Sequence, residues 1–298
     1  MSGLVDPAKA LALFRDGATI VFQGLHRYHQ PLADLVAELE LELGHPCQAN
    51  AYLTPPDSQG FAVHSDSHDV FVFQTAGAKD WEITATRETG PAVEAITMEP
   101  GLSLYLPTGT PHAARAQQAV SLHVTIGINQ LTWRGLLRRT VEGLLPPDDH
   151  LPAGYLDDPG ALQDGLAERL RELADAIGGV DADEAADAEV RRFLTTRPVR
   201  AAGGLLDAIT EISDDTVLRR RAGRPCVLRR RAESAVPEGR LDVLLGDRVL
   251  TLPARLQPVL QQIRGAASFT PAELELDEQS RLVLCRRLVR EGLLEVAR

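Results

Sequence analysis

From residue 18 to residue 127, short apolar runs alternate with turns rich in Gly, Pro and Asp. Residues 18–22, 48–54, 69–74, 81–86, 103–106 and 121–127 read as strands of a β-barrel or sandwich. One stretch breaks the rhythm: in 32–43, Leu35, Leu39 and Leu43 recur at helical spacing, which predicts an amphipathic helix. Residues 131–200 have a different pattern. Three segments, 131–144, 161–177 and 183–195, carry helical periodicity in an Ala-, Leu-, Glu- and Arg-rich composition, with Pro146, Pro147, Pro152 and Pro159 between them and Gly178-Gly179 closing the second. Residues 201–298 form a third pattern. Apolar strands at 241–245 and 248–252 flank Gly246-Asp247 as a hairpin, and a helix follows over 253–263. Thr270-Pro271 reads as a cap with proline in the first turn of a short helix. A longer helix over 277–291 and a strand over 292–296 end the chain.

The predicted organisation is therefore 1–130, a β-barrel domain; 131–200, a helical segment of the kind that packs against its own copy in a dimer; and 201–298, with the element order of a winged helix. The fold class is α+β.

Composition narrows the function classes. With 298 residues and 44% hydrophobic content, the chain has enough apolar material for a packed core. No apolar run approaches the roughly 20 residues needed to span a bilayer. Residues 1–6 show neither a basic region nor an apolar one, so they do not read as a secretory signal. Cys47, Cys226 and Cys285 are too few, too distant and odd in number for a disulfide framework, and the expected location is cytoplasmic. The net charge is −11, and it is uneven: the first 200 residues carry 28 acidic against 15 basic side chains, the last 98 carry 14 against 16. This disfavours general nucleic-acid binding and suits a basic peptide as partner. Of the basic residues 29 are Arg and only two, Lys9 and Lys79, are Lys.

The chemistry concentrates around His64-Ser65-Asp66. On extended backbone, residues i and i+2 share a face, so this pair offers an imidazole and a carboxylate to one metal ion. A third ligand comes from Gly101 through Pro107, Gly109 and His112, whose spacing G-x5-P-x-G-x2-H resembles the second signature of cupin barrels. His64, Asp66 and His112 then make the two-His-one-carboxylate set of non-haem iron oxygenases. His68 and Asp69 compete as ligands, since His68 has the same parity as Asp66; a strand restarting at Asp69 would instead leave His68 at a bend or near substrate. His123 lies on a neighbouring strand and reads as a core or supporting residue.

The run from Asn50-Ala-Tyr52 through Gly60, His64-Ser-Asp66 and Gln74 to Lys79-Asp-Trp81, with Leu106-Pro-Thr-Gly-Thr-Pro-His112 and Ser121-Leu-His-Val-Thr-Ile126, resembles the JmjC-type ribosomal oxygenases, the cupin-4 family. Those proteins join a JmjC barrel to a helical dimerisation region and a C-terminal winged helix, the order read above. The resemblance implies a 2-oxoglutarate-dependent dioxygenase. Fe(II) would sit on His64, Asp66 and His112. The distal carboxylate of 2-oxoglutarate would pair with Lys79, and Asn50 and Tyr52 would bind and orient that cosubstrate. Gln74 and Trp81 would support the wall. The implied product is a hydroxylated Arg or His side chain of a ribosomal or other translation protein. Two other functions remain open at this point: hydroxylation of a small molecule or short peptide in secondary metabolism, and a non-catalytic metal-binding cupin regulator. The chain departs from the family pattern in three places. Its first strand begins near residue 18, with less sequence before it than usual. Asp80 stands where a second basic residue is common, and Gly127 where a small hydroxyl residue is frequent. The expected assembly is a homodimer without a membrane and without specific nucleic acid, because Glu273, Glu275, Asp277 and Glu278 crowd the start of the longest C-terminal helix.

Overall fold

The computed structural model describes residues 5–87, 90–147, 150–198, 204–231 and 239–297. The N-terminal reading rests in part on residues 1–4, and the expected boundary near residue 200 falls on 199–203; both lie outside the described residues. The described chain opens with α1 (Pro7–Arg15), β1 (Ile20–Phe22) and α2 (Gln30–Leu43). There follow β2 (Cys47–Thr54), β3 (Asp69–Ala76), β4 (Lys79–Arg87), β5 (Gly90–Met98), β6 (Ser103–Leu106), β7 (His112–Ala116) and β8 (Ser121–Ile128). These strands make two antiparallel sheets, ordered β1-β2-β8-β3-β6 and β5-β4-β7.

The period-2 pattern of β2 shows how the barrel is built. Cys47, Ala49 and Ala51 are buried; Cys47 and Ala49 pack with Val36 of α2 and with Ile126 and Ile128 of β8. The alternate residues Gln48, Asn50 and Tyr52 face the other way, into a pocket. Val70, Val72 and Leu106 from the larger sheet meet Trp81, Ile83 and Met98 from the smaller one, so the barrel closes on an apolar layer beside that pocket. Gly77 makes the turn from β3 into β4 possible. Its φ is +60°, and a Cβ there would lie 2.2 Å from the carbonyl oxygen of Val120.

Three elements of this part, α1, β5 and β7, carry no predicted counterpart. β7 reads His-Ala-Ala-Arg-Ala and has no β-branched residue. It is a strand because β4 offers it a ladder from Ile83↔His112 to Lys79↔Ala116. The pair His64-Asp66 departs from expectation in the other direction. It does not lie in a strand: His64 forms an isolated bridge to His112, and the chain bends at Ser67 and His68 before β3 begins at Asp69.

The helical segment comprises α3 (Trp133–Glu142), α4 (Pro159–Gly178) and α5 (Ala182–Phe193). Gly179 caps α4 at φ −90°, so this glycine end is not left-handed. The last part comprises α6 (Gly204–Ile209), β9 (Leu218–Arg220), β10 (Val227–Arg230), β11 (Arg240–Leu244), β12 (Val249–Pro253), α7 (Gln257–Gly265), α8 (Glu278–Arg290) and β13 (Leu294–Val296). β11 and β12 form the expected hairpin, with β10 added on its other side, and β13 pairs with β9 rather than with the hairpin. Thr270-Pro271 opens only a three-residue 3-10 turn, closed by a reciprocal capping box with Glu273. The three parts touch. Gly223 lies so close to α2 that a Cβ on it would fall 2.1 Å from Cβ of Ala37. Glu40 of α2 accepts from the N–H of Cys47 and from Arg197. Among the described residues no helix is long and apolar enough to cross a membrane.

Candidate active site

The bridge between the two histidine-bearing segments is the first determinant of the site. His64 N–H donates to the carbonyl of His112 at 3.1 Å and His112 N–H to that of His64 at 2.8 Å. The ring centroids are thereby held 4.4 Å apart. Each ring is oriented by its own backbone: Nδ1 of His64 lies 2.8 Å from the carbonyl of Ala62, and Nδ1 of His112 lies 2.9 Å from that of Thr110. An Nδ1–H donated to a carbonyl leaves Nε2 as the free lone pair, the usual arrangement of a metal-binding imidazole. Nε2 of His112 is 3.8 Å from Oδ2 of Asp66.

The hairpin that returns His112 to this place is anchored twice. The N–H of Gly109 donates to the carbonyl of Asp66 at 2.9 Å. Asp69 accepts from the Tyr105 hydroxyl and, at 2.7 Å each, from the N–H and hydroxyl of Thr108. Burial pushes the Asp69 carboxyl up, but the hydrogen bonds from Tyr105 and Thr108 outweigh it and hold the pKa down at about 2. Asp69, a competing ligand in the sequence reading, is not part of the metal cluster; its carboxylate is engaged by Tyr105 and Thr108 and anchors the hairpin instead.

His64, Asp66 and His112 together offer one donor atom each within 4.8 Å of one another. Donors each about 2.1 Å from one ion lie no more than about 4.2 Å apart, so a small inward rotation completes the set. Two imidazoles and one carboxylate suit a borderline divalent metal of the first transition row and leave coordination positions open. His68 is not part of the cluster; it lines the same pocket beside it.

Deeper in the pocket stands Lys79, 2% exposed. Its Nζ is 3.3 Å from Nδ1 of His123, and among the described residues no carboxylate pairs with it. Burial lowers its pKa to about 8. Burial, and then the charge of Lys79, lowers that of His123 to about 3. The imidazole is therefore neutral and accepts from the ammonium at Nδ1. Tyr52 stacks flat on His123, centroids 4.9 Å apart and planes 4° apart. Its hydroxyl is hydrogen-bonded to Thr125 and Asn50. Asn50 also uses its oxygen to accept from the N–H of Gly24 at 2.9 Å, which makes it a brace for Tyr52. Gln74 reaches the carbonyls of Ala76 and Gly77 and the hydroxyl of Ser121, stiffening the turn that precedes Lys79. Trp81 packs against the rings of both His112 and His123, and its buried indole N–H has no hydrogen-bond partner among the described residues. A buried ammonium without a counter-ion is costly unless an anion joins it, so this end of the pocket fits a ligand carboxylate. Sequence reading gave His123 a core or supporting role without naming what it supports, and missed Thr125. Register reveals them: Tyr52↔His123 and Asn50↔Thr125 are directly opposed on β2 and β8.

Residues 27–136 match the JmjC domain family. A bifunctional lysine-specific demethylase and histidyl-hydroxylase NO66 from Branchiostoma floridae is 33% identical over 180 residues, which is 57% of this chain and 29% of that protein. Human ribosomal oxygenase 1 is 29% identical over 228 residues, 64% of this chain and 36% of that one. The chain thus spans about a third of the length of these curated relatives. Among solved structures, the Escherichia coli ribosomal oxygenase YcfD superposes with a TM-score of 0.54 over 94% of this chain and 78% of that one, at 21% identity. Another structure of that protein, described as a complex with cobalt and 2-oxoglutarate, superposes with a TM-score of 0.50 over 93% of this chain and 77% of that one, at 19% identity. By sequence, residues 27–136 are similar to the JmjC domain, and the chain shares its fold with the Escherichia coli protein.

Proposed function

We propose that this protein is an Fe(II)- and 2-oxoglutarate-dependent oxygenase that hydroxylates an Arg or His side chain of a ribosomal or other translation protein. The observation that carries the reading is the unpaired, buried Lys79 ammonium in the same pocket as the His64-Asp66-His112 cluster. His64, Asp66 and His112 would hold the iron through Nε2, a carboxylate oxygen and Nε2. Bound iron, with 2-oxoglutarate and dioxygen, supplies an oxidant able to replace an unactivated C–H bond by C–OH, with succinate and carbon dioxide as the other products. Lys79 binds the far carboxylate of the cosubstrate, and His123 holds the ammonium in position. Tyr52, steadied by Asn50 and Thr125, walls the cosubstrate on the β2–β8 side. Trp81 and the apolar layer behind it exclude water. The names of the relatives support a translation protein as substrate. The acidic first 200 residues favour a basic target.

The same reading takes 1–130 as the oxygenase domain, 131–200 as a dimerisation region and 201–298 as a winged helix. Leu162, Leu166, Leu170, Leu173 and Ile177 form one stripe along α4, and none of them is buried in the single chain. A 20-residue helix with an apolar face and no cover is an interface, and the partner is a second copy. The winged helix is not a specific DNA reader. On α8, Arg281 is bound to Asp214, Arg286 to the carbonyl of Ile212 and Arg287 to Glu291, so these side chains are engaged within the protein. Buried, unpaired Cys47, Cys226 and Cys285 agree with a cytoplasmic location. The experiment is 2-oxoglutarate turnover with ferrous iron, read as succinate, on the host's ribosomal proteins, with product mass read by mass spectrometry. A gain of one oxygen on Arg or His is expected. Absence of metal- and 2-oxoglutarate-dependent succinate with any substrate would overturn the reading.

A further inference from the structure

Gly127 departs from the family pattern, and its surroundings show what takes the vacated space. A Cβ at Gly127 would lie 2.7 Å from Nε2 of His68, 2.8 Å from Cδ2 of the same ring and 3.5 Å from Cγ of Gln48. The imidazole of His68 therefore rests directly on the β8 backbone, and a side chain at 127 would require that ring to shift. Gln48 stands opposite Gly127 in the β2–β8 register. Both side chains line the pocket and both are half-buried. Among the described residues neither side chain makes a hydrogen bond within the protein.

Two polar side chains that line the pocket beside Gly127, without a hydrogen bond to the protein among the described residues, can offer their polar atoms to a ligand. The pair is separate from the Lys79 end of the pocket: it occupies the β2–β8 register position of Gln48 and Gly127, whereas Lys79 meets His123, the partner of Tyr52 four register positions away. His68 also lies two residues after Asp66 and lines the same pocket as the metal cluster without belonging to it.

We infer that His68 and Gln48 form the recognition site for the polar head of the side chain to be hydroxylated, and that Gly127 is the specificity-determining position that permits it. The inference rests on the oxygenase reading above. An imidazole nitrogen and an amide oxygen can both accept, so the pair fits a planar head that carries N–H donors, a guanidinium or an imidazole. An aliphatic side chain would leave both groups desolvated and unpaired.

The test uses the full chain loaded with Zn(II) and 2-oxoglutarate, with histidine rings labelled with nitrogen-15, at fixed pH. Three probes are titrated: N-acetylarginine methylamide, N-acetylhistidine methylamide and N-acetylleucine methylamide. The His68 ring signal should move with the arginine or the histidine probe and stay in place with the leucine probe; whichever moves it identifies guanidinium or imidazole. His68→Phe and Gln48→Leu should each weaken that probe roughly 2–10-fold at saturating 2-oxoglutarate, the loss of one neutral hydrogen bond. Gly127→Ser should displace the ring and weaken the probe alike. An unmoved His68 signal with both N–H probes, or an equal response to leucine, overturns the inference, and this measurement needs no variant to fold. The melting temperature of the same sample separates the two readings. A rise with Zn(II) and 2-oxoglutarate but no His68 response defeats only this inference; no rise defeats the oxygenase reading with it.

Discussion

The barrel and the C-terminal part of this chain treat buried charge in opposite ways. In the C-terminal part each buried charge meets its opposite. Arg224 reaches Asp247 at 2.9 Å, Arg221 reaches Asp207 at 2.8 Å, and Arg191 and Arg231 both reach Asp242. Around them Leu241, Val243, Leu260, Ile263, Leu288 and Leu293 form one continuous apolar core. In the barrel, Lys79 is as deeply buried as these residues and has only the neutral imidazole of His123. The buried indole N–H of Trp81 is likewise left without a partner among the described residues. A chain that pairs its charges in one region and withholds pairing in another is using the second region to bind. Charge pairs in the first serve stability and register; the missing partner in the second is the ligand.

That contrast can be broken by substitution. The largest effect is expected for Asp66→Ala, which removes the only anionic donor of the cluster. Succinate formation should fall to background while circular dichroism stays native, and wild-type turnover would remove Asp66 from the metal site. Next comes Asp247→Ala. It removes the carboxylate from beside the buried Arg224 guanidinium and should cost about 3–5 kcal/mol of folding stability, read by denaturant unfolding. The equivalent truncation in the barrel should behave differently. Lys79→Ala should raise the 2-oxoglutarate requirement by on the order of 10–150-fold, the equivalent of about 1.5–3 kcal/mol for a charge-assisted contact. It should not lower stability, because it deletes a desolvated charge rather than stranding one. An unchanged KM for 2-oxoglutarate would place the cosubstrate elsewhere.

A subtler prediction concerns pH. Burial lowers Lys79 from 10.5 to about 8 in the folded protein. Between those values the unfolded chain holds the proton and the folded chain does not, so the ligand-free protein should gain stability as pH rises from about 8 towards 10.5. The ammonium is the form that attracts a carboxylate, so affinity for 2-oxoglutarate should fall over the same range. Both trends belong to one group, and both should be absent from Lys79→Met. The smallest effect on the site is expected from the helical segment. Leu166→Glu with Leu170→Glu should convert a dimer to a monomer by light scattering, and a monomeric wild type at micromolar concentration would remove α4 as the interface.

Much of this was legible from residue order. The turn-bounded apolar runs located β2, β3, β4, β6 and β8, and the 3.6 period located α2 and the three helices after the barrel, because each buries one face and writes that face into local spacing. His64, Asp66 and His112 were legible because the cluster is built from two short motifs, each with its own spacing. Lys79 stood out as one of only two lysines. The rest depends on which strands lie side by side, and nothing local encodes that. β7 is a strand because β4 pairs with it, not because Ala-Ala-Arg-Ala prefers one. His123 supports Lys79, and Thr125 supports Tyr52, only once β8 lies antiparallel to β2 in the observed register. Asp69 anchors the hairpin of His112 across 39 residues of chain. Gly127 reads as a missing hydroxyl until the fold lays the ring of His68 upon it. Local spacing determined which groups this protein carries, and tertiary pairing decided which of them were left without partners, because satisfaction of a buried polar group depends on neighbours distant in sequence.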